Sequence, residues 1–134
     1  MANFHLKVIT PEEIVFDGEA SLINVDTDKG QLGILPNHVD FVTKINPGLL
    51  RIVNGSKETV MATGEGVLQM NQNKLVILTD LAEDSSKINE KEAEEAKKRA
   101  QDALSDKLSG EEYSEVVAVL ERSLAKLRVK RRHH

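Results

Sequence analysis

The stretch LLRIVNGSKETVMA, residues 49–62, places the pair Asn54-Gly55 between two runs of apolar and β-branched residues. Both residues of an Asn-Gly pair tolerate a positive φ, which the central positions of a tight hairpin turn require. The stretch therefore predicts a β-hairpin whose two strands are joined at Asn54 and Gly55.

Short apolar segments with strand-like alternation lie on both sides of this hairpin, at residues 4–8, 14–16, 22–25, 41–42, 67–70 and 75–78. Turn-forming residues separate them at Asp17-Gly18, Asp28-Lys29-Gly30, Asn46-Pro47-Gly48 and Asn71-Gln72-Asn73. So many strands in roughly 80 residues leave no room for crossover helices. The sheets are therefore predicted to be antiparallel, as a sandwich or flattened barrel.

Residues 83–134 have a different character, with dense charge, no proline and a single glycine, Gly110. Asn89 with Glu92 three residues later predicts a capped helix start, and Ser109 with Glu112 predicts a second one. The first helix carries an apolar stripe of Ala93, Ala96, Ala100, Ala103, Leu104 and Leu108. The second carries Tyr113, Val116, Val117, Leu120, Leu124 and Leu127.

The predicted fold class is α+β, with an antiparallel β-sandwich over residues 1–84 and an antiparallel two-helix hairpin over residues 85–134. The first stripe is rich in alanine, so the contact between the two helices buries little apolar area and is expected to be weak. The hairpin is therefore expected to depend on docking against another surface, and to be able to leave it.

Composition excludes several classes of protein. The net charge is −4, which argues against a dedicated nucleic-acid binder. The chain has no cysteine, which excludes disulfides, thiol catalysis and thiolate metal sites. No apolar run is long enough to span a membrane, and the N-terminus lacks the regions of a secretory signal. We expect a protein of the cytoplasm or of a cytoplasmic surface, without direct membrane insertion.

No motif indicates an enzyme, and no catalytic residue or metal ligand is predicted. His5 and His38 lie far apart and are interpreted as structural histidines, and Gly64-Glu65-Gly66 as a strand turn or bulge. His133 and His134 are either native or a tag remnant, without a metal role.

The end of the second helix is basic: from residue 122 onward the sequence has no acidic side chain. Two interpretations remain open on charge alone: complementarity to the helix macrodipole, or a surface that meets an acidic partner. The residues are Arg122, Lys126, Arg128, Lys130, Arg131 and Arg132.

The stretch GQLGILPNH, residues 30–38, resembles the signature of the epsilon subunit of bacterial F-type ATP synthases. Residues 5–11, 46–52, 64–69 and 127–129 extend the resemblance to nearly the full length. It implies a non-catalytic rotor subunit on the cytoplasmic face of the cell membrane, whose sandwich binds the gamma subunit and the c-subunit ring. The predicted ring contact is a loop carrying Gly30, Gln31 and His38.

The resemblance also implies that the two helices switch between a state folded on the sandwich and an extended state. When extended, they reach the alpha and beta subunits and inhibit ATP hydrolysis through the basic residues from Arg122 to Arg132. This favours the acidic-partner interpretation of that helix end. Neutralising Arg122, Lys126 and Arg128 is expected to raise hydrolysis.

Some relatives of Bacillus type bind ATP on the folded hairpin. At the corresponding positions this chain matches in part, with Ile88, Asn89, Ala93, Arg99, Arg122 and Lys126, but Asn89 replaces an acid and Glu92 replaces an arginine. A reversed charge near a phosphate is unfavourable, so ATP binding is predicted to be weak or absent, and no cofactor is required. The alternatives are a stand-alone ATP-sensing adaptor, and a sandwich adaptor whose tail binds an unrelated acidic protein.

Overall fold

The computed structural model describes residues 2–132, with the side chain of Arg132 left out of the description. His133 and His134, for which no metal role was predicted, lie outside the described residues. The strands in chain order are β1 (Phe4–Ile9), β2 (Ile14–Ala20), β3 (Leu22–Thr27), β4 (Gly30–Ile34), β5 (Phe41–Asn54), β6 (Lys57–Thr63), β7 (Gly66–Asn71), β8 (Lys74–Thr79) and β9 (Ala82–Asp84). A 3-10 turn (Ser85–Lys87) follows, and then α1 (Glu90–Leu104) and α2 (Gly110–Arg132).

The strands form a half-barrel sandwich in the order β2-β1-β8-β7-β5-β3-β4, while β6 pairs with β5 and with β9. Together with the two helices, this confirms the predicted α+β class. The core lies between the curved layers and is almost wholly aliphatic. Its most completely buried side chains include Leu6, Ile23, Ile45, Leu50, Leu68, Leu75 and Ile77.

One strand pair contradicts the expectation of purely antiparallel sheets. β1 and β8 run parallel, with Leu6 opposite Leu75 and Val8 opposite Ile77. The prediction considered only strands that follow each other in the chain. Two such strands can run parallel only if a crossover connection, usually a helix, joins them. Here the whole intervening sandwich, from β2 to β7, forms the connection, so no helix is needed.

The hairpin predicted from residues 49–62 is present, but its turn lies one residue further on. Asn54 pairs with Lys57, so Gly55 and Ser56 are the central residues. Of these, Gly55 has φ 62° and Ser56 is not among the residues with positive φ. A glycine with positive φ at the first central position is the pattern of a type II′ turn. The predicted turn at Asn71–Asn73 is confirmed between β7 and β8.

Two other predicted turns lie inside strands. Asp17-Gly18 belongs to β2, and Asn46-Pro47-Gly48 belongs to the long strand β5. The first part of β5 pairs with β7 up to Ile45, and the last part pairs with β6 from Gly48. Pro47 lies at the step between these partners, where a strand tolerates a residue without an N–H group. The prediction was wrong here because a Pro-Gly pair marks a bulge as readily as a turn.

The helices pack in sequence: α1 contacts α2, and α2 contacts β5 and β6. The predicted single stripe on α2 is wrong in part, since Tyr113 and Leu124 are largely exposed. Leu127 of that stripe is buried as predicted, and the other buried residues of α2 are Ser123, Ala125 and Val129. Residues two apart on a helix lie on nearly opposite sides. The C-terminal half of α2 is therefore enclosed on two sides, by α1 and by the sheet.

Candidate functional site

The junction between the sandwich and α2 has its own small apolar core, separate from that of the sandwich. Val129 is fully buried there, against Leu49 of β5, Val60 and Ala62 of β6, and Ile88 before α1. This contact shows the helical pair docked on the sandwich. α1 and α2 also pack against each other, so the expected weakness of the contact between them stays a prediction. The junction core is small, and the polar contacts around it add to the attachment of α2.

Among the described acids of the sandwich, Asp26 of β3 lies nearest to a cation of α2. One oxygen of its carboxylate lies 3.0 Å from the Arg128 guanidinium and also accepts the Leu49 N–H at 3.0 Å. The side chain of Asp26 is only 14% exposed. Gly48 makes this position possible, because a Cβ there would overlap the Asp26 carboxylate. β3, β5 and α2 therefore meet at a single carboxylate.

Asp80, between β8 and β9, is held in a similar way. Its carboxylate occupies the space that a Cβ at Gly64 would fill. It lies 3.5 Å from the guanidinium of Arg122, at the near end of the basic segment. Gly64 and Glu65 form the predicted connection between β6 and β7, and Gly66 is the first residue of β7. The close approach of Asp80 explains the need for glycine at position 64.

The next two cations of α2 contact the end of the sandwich. Lys126 lies 3.1 Å from the carboxylate of Glu83 in β9. Lys130 donates to the Ser85 carbonyl at 3.1 Å. Side chains of Lys126 and Glu83 are about one-third exposed, so their attraction is screened less than that of a fully solvated pair.

Arg131 joins α2 to the first turns of α1. It donates to Glu90 at 3.1 Å and to Glu94 at 2.7 Å. Both hydrogen bonds raise the pKa of Arg131. Partial burial raises the pKa of Glu94, but the contacts from Arg131 and Lys97 outweigh it, so this pKa lies below its usual value. Every described cation of the predicted inhibitory face therefore has a partner within the chain.

A groove of about 410 Å³ lies between the two helices and brings together four of the six predicted nucleotide contacts, Asn89, Ala93, Arg99 and Lys126. The other two lie elsewhere: Ile88 is buried in the junction core, and Arg122 contacts Asp80. Asn89 uses its side-chain oxygen to accept the Glu92 N–H, which is a helix cap. Three acids line the groove beside three cations, namely Glu83, Glu92 and Glu95 beside Lys87, Arg99 and Lys126.

The residues predicted to form one ring-contact loop do not lie in one loop. Gly30 and Gln31 begin β4 directly after an exposed turn, and Gly30 has φ 103°. His38 follows the other end of β4, where its ring packs 4.7 Å from Phe41. The signature has the composition of a turn-rich loop, whereas Gly30–Ile34 pairs with β3 over its whole length. The description as one loop is therefore wrong, and contact of these residues with the ring stays a prediction.

An exposed apolar strip on the outer face of the sheet was missed by the sequence analysis. Leu78 of β8 is 52% exposed and lies between Ile9 of β1 and Val67 of β7 in the strand register. Val42 of β5, two residues from the partner of Val67, is 66% exposed. The alternation showed which side chains share a face, but not that this face is left uncovered.

Within residues 2–132 no helix is long and apolar enough to cross a bilayer. Among the same residues no group of three or more histidine or carboxylate side chains is arranged to hold a metal ion.

Comparison with known families decides what kind of protein this arrangement represents. Residues 3–85 match the model of the ATP synthase delta/epsilon chain β-sandwich domain, and residues 86–131 match that of its long α-helix domain. The chain belongs to the ATP synthase delta/epsilon chain family. This membership confirms the resemblance deduced from residues 30–38 and the rotor epsilon-subunit role; a stand-alone ATP-sensing adaptor is not favoured.

Individual relatives agree with the family match. The chain is 40% identical over 129 residues to an ATP synthase epsilon chain of Caldicellulosiruptor saccharolyticus, covering 96% of this chain and 94% of the relative. It is 42% identical over 106 residues to one of Clostridium novyi, covering 78% and 81%. In fold it resembles a chain of the Euglena gracilis mitochondrial ATP synthase, with TM-score 0.79, 20% identity and coverage of 100% and 83%. The chain is thus a component of an ATP synthase complex.

Proposed function

We propose that this chain is a non-catalytic rotor subunit at the cytoplasmic face of the membrane, and that α2 carries a brake on ATP hydrolysis. The observation that supports the brake is the segregation of charge at the junction. The cations from Arg122 to Arg131 lie on the end of a helix that is attached to the sandwich by a small apolar core and partly exposed ion pairs. A helix held in this way can be exchanged onto an acidic surface of the alpha and beta subunits.

The gamma subunit is proposed to bind the apolar strip of Ile9, Val42, Val67 and Leu78. Three of these side chains, Val42, Val67 and Leu78, are at least 44% exposed, although α2 packs against other residues of β5. A contiguous exposed apolar strip of this kind marks a protein interface. Leu78→Glu should therefore abolish co-purification with the gamma subunit, whereas Val119→Glu on α2 should leave it intact.

The c-subunit ring is proposed to contact the turn between β3 and β4. This turn is exposed and polar over Asp28, Lys29, Gly30 and Gln31, and so suits the polar loops of a ring. His38, at the other end of β4, is left out of this contact. Cross-linking from a cysteine placed at Gln31 should capture the c subunit, and the same cysteine at Glu58 should not.

Regulation by ATP in the groove between α1 and α2 is proposed to be weak or absent. The groove has no net formal charge among its six ionisable side chains, and Lys126 already contacts Glu83. A nucleoside triphosphate would have to displace Glu83 from Lys126 and approach Glu92. Calorimetric titration of the isolated chain with ATP is the test, and a sub-millimolar Kd would contradict the proposal.

Hydrolysis by the assembled ATP synthase tests the brake directly. Removal of the chain, or of α2 alone, should raise ATP hydrolysis while the sandwich stays bound to its partners. Unchanged hydrolysis after removal of α2 would reject the inhibitory function.

A further inference from the structure

The three sandwich carboxylates that meet α2 are arranged to compete for its cations. Asp26, Asp80 and Glu83 contact Arg128, Arg122 and Lys126 respectively, and they come from three different segments of the sandwich. Each cation can contact only one acidic surface at a time. We propose that these carboxylates form an internal competitor for the acidic partner of α2 and so set the fraction of chains in which the brake is available.

One of the three carboxylates is held by a contact that does not involve α2. Asp26 accepts the Leu49 N–H and fits against the bare Cα of Gly48. A carboxylate held in this way loses little side-chain entropy when it pairs with an arginine. Asp80 has room beside the bare Cα of Gly64, so both acids have positions on the sandwich that a larger residue at either glycine would deny them.

The three ion pairs accompany the apolar contact of Val129 with Leu49, Val60 and Ala62. The apolar contact gives affinity without selecting the orientation of α2, whereas three pairs at separate points define one docked geometry. This inference rests on the proposed brake, because the competition has a consequence for hydrolysis only if the same cations inhibit. The proposed competition predicts opposite effects of two kinds of substitution on inhibition: removing the acids should strengthen inhibition, and removing the cations should weaken it.

Distances measured in the isolated full chain test the competitor without any activity assay. The chain has no cysteine, so nitroxide labels can be placed at Ser56→Cys on the β5–β6 turn and Glu115→Cys on α2. The triple variant Asp26→Asn, Asp80→Asn, Glu83→Gln keeps side-chain size and the acceptor for Leu49. Loss of one partly exposed ion pair changes the undocked-to-docked ratio about two- to fivefold. The triple variant should therefore raise this ratio about tenfold or more.

A matched control and a charge swap make the result specific. Glu19→Gln neutralises an exposed acid of β2 that contacts His5 of β1, and should leave the distances unchanged. Glu83→Lys should undock α2, and Glu83→Lys with Lys126→Glu should restore docking. Raising NaCl from about 0.1 M to 1 M should favour the undocked helices as the triple variant does, since the electrostatic screening length falls from ~10 Å to ~3 Å. Unchanged distances in the triple variant, or no recovery in the swap, would overturn the proposal.

Hydrolysis by the assembled complex then separates this proposal from the proposed brake. With the triple acid variant, hydrolysis should fall; with the charge swap, α2 should dock but inhibit less, because one of its cations has become an acid. Longer distances together with unchanged hydrolysis would support the competitor as a determinant of docking and contradict the brake. Unchanged distances would reject the competitor whatever hydrolysis does.

Discussion

The carboxylate of Asp26 in β3 and the guanidinium of Arg128 near the end of α2 lie 3.0 Å apart, although one belongs to the sandwich and the other to the helical pair. The Asp26 side chain is 14% exposed and that of Arg128 is 49% exposed, so the pair lies at the edge of the junction with its acid inside. Breaking it leaves a largely buried carboxylate with the Leu49 N–H as its only other partner in the described structure. This one ion pair therefore connects the folded sandwich to the docked position of α2.

Neutralising the cations tests whether α2 inhibits. With Arg122, Lys126 and Arg128 all replaced by Ala, ATP hydrolysis by the assembled complex should rise about threefold or more, since each charged contact contributes up to ~1 kcal/mol. Arg51→Ala, which removes a sandwich arginine paired with Glu58, is the control and should change nothing. Equal hydrolysis in the triple variant and the control would count against an inhibitory role for the basic end.

Substitution at Gly48 tests whether the Asp26 position depends on the missing Cβ. Gly48→Ala forces the carboxylate to move, and we expect it to cost about 1–3 kcal/mol of unfolding free energy, as overpacking does. Adding Asp26→Ala should recover much of that loss, because the space is then free. Gly110→Ala, which meets no atom within 4 Å, is the control. Additive effects of Gly48→Ala and Asp26→Ala in chemical denaturation would contradict this explanation.

Val129 tests the apolar part of the junction. It is fully buried, so Val129→Ala should weaken docking by about 1–2 kcal/mol through lost burial and a cavity. The helices should then lose protection in amide hydrogen exchange while β1 and β8 keep theirs. Val119→Ala, at a position 37% exposed, should have little effect. Equal loss of protection in sandwich and helices would mean that the hairpin does not move independently.

Acid titration tests the contact between the helices. The pKa of Glu94 is lowered in the folded chain, so its contribution to stability is present above its unfolded value of about 4.5 and is lost as the pH falls through the folded value. Protection of α1 and α2 in hydrogen exchange should decline over that acid range. Glu94→Gln should remove this part of the decline, and an unchanged profile in that variant would assign it to other groups.

A change of charge in the groove between the helices tests the prediction of weak ATP binding. Glu92→Arg changes the lining from three acids and three cations to two acids and four cations. At an effective dielectric constant near 20, a nearby charge is worth a few kcal/mol, so ATP affinity should rise about tenfold or more. Glu12→Arg on the exposed loop before β2 makes the same change in net charge and should not alter calorimetric titration.

The sequence predicted the architecture well where the signal was local. The alternation in residues 4–8 and 75–78 predicted β1 and β8, and the spacing of Asn89 and Glu92 predicted the start of α1, where Asn89 does cap the helix. The parallel pairing of β1 with β8 could not be predicted in this way, because it joins the two ends of the sandwich. No local pattern records which distant strands meet.

The same division applies to the candidate site. The basic end of α2 was evident as a run of like charges from Arg122 onward, since charge along the chain is visible in the sequence. Asp26, Asp80 and Glu83 were missed, because single acids in polar segments give no signal until the fold brings an arginine or lysine to them. The stripe on α2 was misjudged for a related reason: periodicity assumes one buried side, and α2 has two.

The sequence by itself determined the two-part organisation, the strand and helix content and the family, because these depend on short-range propensity, turn chemistry and a compact signature. Only the tertiary structure decided where α2 lies and which acids hold it. That choice depends on contacts between residues far apart in the chain, and on two glycines whose lack of a Cβ makes room for a carboxylate.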